Sequence, residues 1–190
     1  GYVALSSDTL GSSSVAIGVE ALDAQNFTTA TSVHNVAVGN GAGGAVTTGF
    51  QNTLIGNSAG ASLTDSDRNV AVGYVALTSE TLGQKNVAVG YQALRLQNST
   101  TATDTFNTAV GYEAGEGVTT GKFNTFVGGQ SARLNTDGNN NTAVGYAALG
   151  ADAGDENTAV GLFALNACTG SNNTAVGHDA GDDVTSGNNN

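Results

Sequence analysis

One pentapeptide dominates this chain and limits what it can fold into. The string N-T-A-V-G, or a near variant, closes on Gly18, Gly39, Gly56, Gly73, Gly90, Gly111, Gly128, Gly145, Gly161 and Gly177, and Gly1 opens an equivalent unit. Successive spacings are 17, 21, 17, 17, 17, 21, 17, 17, 16 and 16 residues. Units this short have no interior of their own, so each must bury its apolar side against the next copy. The order 17, 21, 17, 17 occurs twice, so residues 1–72 align with 73–144 and 145–190 begin a third copy. The chain therefore reads as one segment, 1–190, made of single rungs nested in a four-rung super-repeat. It opens and stops in mid-motif, which is the expectation for a piece of something longer.

Each rung reads G-Y-x-A-L, then a turn rich in Gly, Asn, Asp, Ser and Thr, then N-T-A-V. β-Branched residues and Gly dominate, and no apolar stripe of helical period is sustained, so helix is disfavoured. The alternation fits a short strand. The expected fold is all-β: a parallel β-solenoid of about eleven 16–17-residue rungs with 21-residue second rungs. Residues at i and i+2 of a strand share a face. The residue before each glycine is always Val or Ile: Ile17, Val38, Ile55, Val72, Val89, Val110, Val127, Val144, Val160 and Val176. With the Val or Thr two positions earlier, this column is assigned to the interior. The Ala/Gly face is left to meet another backbone, either a neighbouring protomer or the coil's own second strand.

Stacking at the normal interstrand spacing of about 4.7–4.9 Å brings each residue type against its own kind. Asn35, Asn52, Asn69, Asn86, Asn107, Asn124, Asn141, Asn157 and Asn173 form one column, with Ser14 at the remaining rung. Such amides can bond along the axis and fix register. All five tyrosines (Tyr2, Tyr74, Tyr91, Tyr112 and Tyr146) follow a rung glycine. That column is either an aromatic strip for sugars or a set of side chains stacked beside a turn. The second-rung insertions, residues 22–34 and 94–106, carry T-T-A-T and the sequons that begin at Asn26 and Asn98, completed by Thr28 and Thr100. These are the positions for glycan attachment or ligand contact.

Charge and composition exclude several functions. Sixteen acidic against five basic residues leave a net charge of −11, which repels nucleic acid and anionic lipid surfaces alike. No apolar run approaches the length of a membrane span. Cys168 is alone, so no internal disulfide forms. Asp65-Ser66-Asp67 and Asp137-Gly138-Asn139 resemble pieces of calcium loops, but turn chemistry accounts for them without a metal. His34, His178 and Cys168 are too few for a zinc site. No Ser–His–Asp elbow is present. No cofactor, metal or catalytic residue is expected.

The string Ser14-Val15-Ala16-Ile17-Gly18 and its relatives resemble the head repeats of trimeric autotransporter adhesins of the YadA type. The longer pattern N-T-A-V-G-Y-x-A-L is similar to repeats that precede the chaperone domains of phage tail-fibre-like proteins. The resemblance implies a β-roll fibre without catalysis, although the rungs here are longer than those of the adhesin coil. The expectation is a structural shaft outside the cell, or on a virion surface, that associates with itself as a closed trimer or a head-to-tail filament. The alternative is an adhesin head that reads cell-surface glycans through its loops and tyrosines.

Overall fold

A computed structural model describes all 190 residues. It contains no helix. Ten three-residue strands, from Val15–Ile17 and Val36–Val38 through to Thr174–Val176, form one ten-stranded parallel sheet in sequential order. Pairing joins like to like: Thr108 meets Thr125, Ala109 meets Phe126, and Val110 meets Val127. Two shorter parallel pairs, Gly11–Ser12 with Thr31–Ser32 and Gly83–Gln84 with Thr103–Asp104, lie at the bases of the two long second rungs. The expected β-solenoid is thus the observed architecture. Of 110 backbone hydrogen bonds, 90 lie outside paired strands, and most of these join one turn to the same turn of the next rung. The coil is held all the way round its perimeter, not by the sheet alone.

The interior face is the opposite of the one expected. None of Ile17, Val38, Ile55, Val72, Val89, Val110, Val127, Val144, Val160 or Val176 is buried; Ile17 is 58% and Val176 69% exposed. Ala37, Leu54, Ala71, Ala88, Ala109, Phe126, Ala143 and Ala159 are fully buried instead. The reason is the width of the coil. The inward residue of the strand faces the Ala-Leu pair of its own coil's turn, and a Leu there leaves room only for a methyl group. The Ala face therefore packs on the coil itself, which closes the question between the coil and a neighbouring protomer.

The four-rung super-repeat is a volume pattern in this core. Where the turn supplies Leu22, Leu77, Leu94, Leu149 or Leu165, all essentially fully buried, the strand residue of that rung is Ala. Where the strand supplies the bulk, the turn residue shrinks. A Cβ on Gly43 would lie 2.6 Å from Leu54 Cδ1, and one on Gly60 2.7 Å from Leu54 Cδ2. A Cβ on Gly115 would lie 2.8 Å from Phe126 Cδ2 and 3.0 Å from Leu94 Cδ2. Close-packed interiors tolerate no second large group at such a point.

The rung glycine is required for two reasons. From Gly18 to Gly177 its φ lies between 132° and 144°, a region L-residues rarely adopt. In all but the last of these rungs a Cβ would also collide with the carbonyl of the next rung's glycine.

Candidate functional site

The asparagine column lies inside the coil. All nine residues are fully buried, on the same side of the strand as the inward Ala. Each side-chain oxygen accepts the backbone N–H of the next Asn in the column. Asn35 Oδ1 receives the Asn52 N–H at 2.8 Å, and Asn107 Oδ1 receives that of Asn124 at 2.9 Å. The same bond recurs through Asn173 to Asn190. The amide nitrogen points across the coil to a turn carbonyl, as Asn107 Nδ2 does to Gly121 O at 2.7 Å. Direct amide-to-amide donation, the expected mode, occurs only at some steps, such as Asn86 to Asn69 and Asn157 to Asn141.

Two further polar groups, not singled out in the sequence, support the long second rungs. Glu80 is fully buried. Its Oε1 accepts the backbone N–H groups of Thr81, Leu82, Gly83 and Ser99 at 2.7–3.1 Å. Its Oε2 accepts Gln97 Nε2 at 2.8 Å and Ser99 Oγ at 3.3 Å. Gln97 Oε1 in turn accepts Asn107 Nδ2 at 2.9 Å, which ties the loop to the column. Asp8, one super-repeat earlier, does the same with Gln25 Nε2 (2.5 Å) and the N–H groups of Gly11 and Phe27. Burial pushes the Asp8 carboxyl up, but the donated bonds from Gln25, Phe27 and Gly11 outweigh it and leave it below its usual range.

The third copy lacks the insertion, and its supports have changed together. Asp152 turns outward to Thr136, while Ala153 takes the buried position. Cys168 stands where Gln25 and Gln97 stood, and its sulfur accepts Asn173 Nδ2 at 3.4 Å. The sequence signal for all of these was an offset of seven residues from the rung glycine, with an acid and then a glutamine on adjacent rungs in both full copies.

The loop tips are exposed. Asn26, Thr28, Asn98 and Thr100 all reach solvent, and Asn26 and Asn98 accept hydroxyl bonds from Thr9 and Thr81 of the rung before. Tyr74, Tyr91 and Tyr112 form a stack with ring centroids 5.5 and 5.1 Å apart and planes within 12°. Rings stacked so closely cover one another's faces, and the faces are what a sugar would need. Tyr146 instead meets Phe163 edge-on, and Tyr2 is 76% exposed. On the other side of the strands, Phe106 and Phe123 stack at 5.8 Å.

Charged side chains pair between rungs. Arg133 bridges Glu113 and Glu116 at 3.0 and 3.1 Å, and Arg95 joins Glu116 at 2.8 Å. Burial raises the Glu116 carboxyl, but the two guanidinium groups more than offset that and hold it low. Asp65 and Asp67 accept from Thr48 and from the Phe50 N–H, and Asn139 accepts from the Lys122 N–H, so both calcium-like strings serve the rung stack. Burial keeps Asp67 above its usual range despite its bond from Phe50. The surface has one shallow depression, beside Arg133 and Asn166, and Arg133 is already committed to its two glutamates. No protein-family model, curated protein or solved structure matches the chain.

Proposed function

We propose that this chain is a non-catalytic structural rod, a segment of the shaft of an extracellular or virion-surface fibre that associates with copies of itself. The observation that carries this reading is the axial relay of buried asparagines. One hydrogen bond, side-chain oxygen to the next backbone N–H, repeats rung after rung from Asn35 to Asn190 and is backed by turn-to-turn bonds round the perimeter. Such a coil resists extension and bending along its whole length, because every rung bonds to both neighbours. The net charge of −11, carried outside the ten-stranded sheet, keeps so repetitive a β-rich chain in solution. Electron microscopy and sedimentation test it together. Elongated particles of more than one chain are expected, and a compact monomer at all concentrations would overturn it.

A second reading is favoured by the two insertions. Their Thr-rich tips emerge four rungs apart, and their bases at Phe27 and Ser99 are held by dedicated carboxylates, the construction of a presented loop. On this reading the segment is an adhesin head that contacts cell-surface glycans through residues 28–30 and 100–102. Binding to a glycan array that disappears when residues 99–103 are replaced by a short turn would support it. Folded protein with no signal on any glycan would remove it.

A further inference from the structure

The strand side chains expected inside the coil are outside it, and that gives the rod an uncovered face. Ten rungs present two parallel columns. One is all Val or Ile (Ile17 to Val176) and the other all Val or Thr (Val15 to Thr174). None of the twenty-one charged residues falls in either column. In its central part this strip is flanked by the exposed Phe106–Phe123 stack on one side and the Tyr74–Tyr91–Tyr112 stack on the other.

The two columns lie two residues apart on each strand, and nine inter-strand steps carry them roughly 43 Å along the rod. Beside them, the position of Phe106 and Phe123 is held in other rungs by Arg68, Lys85 and Glu156, so the charge-free part of the face is the two columns themselves. A charge-free strip of Val, Ile and Thr that runs the length of a rod is the kind of surface that marks an association site. The exposed tips of the insertions, residues 28–30 and 100–102, contribute no residue to either column.

We propose that this face is where a second copy of the chain docks, side by side and sheet to sheet. The choice of partner follows from spacing. The columns are corrugated at the interstrand repeat of about 4.8 Å, and only a surface with the same repeat keeps its ridges in the grooves over nine steps. Another copy has that repeat by construction. Meeting along these two columns, the copies oppose no charged side chain of either column. The inference rests on the fibre reading and adds to it that association is lateral, leaving the coil ends free.

The test uses three proteins in sedimentation velocity, with far-UV circular dichroism as the check on folding. Wild type is expected to associate into multiples of the 18.7 kDa chain. Val72→Lys/Val110→Lys places two charges on the face two rungs apart and is expected to raise the dissociation constant at least 100-fold with an unchanged spectrum. Thr120→Lys, on an exposed turn, is expected to behave as wild type. If the double variant associates as wild type does, the lateral interface is wrong while the fibre reading stands. A wild type that stays monomeric at high concentration overturns both. Val89→Cys provides a measurement that does not depend on the lysine variants folding. Its thiol should react with iodoacetamide at least 10-fold more slowly in an associated sample than in a dilute one, and equal rates overturn the interface.

Discussion

Replacing Phe126 by Ala would give this rung the residue that most other rungs carry at the same position, and by similarity to its neighbours the change should be harmless. The structure requires the opposite. Phe126 is fully buried and is the largest side chain in the core. The turn facing it carries Gly115, and the next rung's turn has only Ala132 where others have Leu. Truncation leaves a void that the hydrogen-bonded coil cannot close, and such a change costs about 3–5 kcal/mol.

Gly115→Leu alone should also destabilise, by about 1–3 kcal/mol, because its Cβ would already press on Phe126 and Leu94. The backbone itself does not forbid leucine. Gly115 has φ 58°, and Leu94 and Leu77, at the equivalent position, have φ 49° and 52°. The double variant therefore converts the rung into the type found at Leu77–Ala88. It should be more stable than the sum of the single effects implies, with a coupling energy above about 1 kcal/mol. Urea denaturation followed by far-UV circular dichroism measures all four proteins. Additive effects, within about 0.5 kcal/mol, would refute the claim that the super-repeat is a packing unit.

Two other outcomes follow from the buried polar groups. Asn107→Ala strips partners from the Asn124 N–H, Gly121 C=O and Gln97 Oε1, and should cost at least about 3 kcal/mol, whereas Thr108→Ala on the outer face should change stability by no more than about 0.5 kcal/mol. Hydrogen exchange should locate the loss at the Asn124 amide, and equal effects of the two substitutions would contradict the relay. Acid should also weaken the fold. Glu116 and Asp8 titrate lower folded than unfolded, so their contributions are present above the ordinary carboxylate range and vanish as pH falls through the folded values. Asp67, held high, works in the other sense: what it adds at low pH is lost as pH rises. Thermal midpoints should therefore drop from about pH 5 downward, and Glu116→Gln should flatten that decline. An acid limb identical to wild type would remove Glu116 from the account.

The repeat and its period were readable because they are properties of the string, and the solenoid followed from them. The interior face was misread for a physical reason. Val and Ile normally mark a core, and in a wide coil they would have done so here. The buried Asn column held the corrective. Asn107 and Ala109 are two residues apart and must share a face, so an amide ladder inside the coil requires Ala inside with it. The sizes of Leu22, Gly43, Leu54 and Gly60 completed the same message, but only when compared across the coil, a pairing the linear spacing does not reveal. Glu80 and Gln97 were hidden differently, because an acid in a Gly- and Ser-rich turn looks solvated until the insertion that wraps it is placed.

The alternation of bulk between strand and turn also sets how such a rod can change length. Inserting or deleting a single rung would set a leucine turn against Leu54 or Phe126, or leave two glycine turns facing alanine. A whole four-rung cassette can be added or lost with every neighbour still matched. Length then comes in increments of about 19 Å, and the insertion loop of each full cassette marks the same increment along one edge. The molecule carries its own ruler, graduated by side-chain volume.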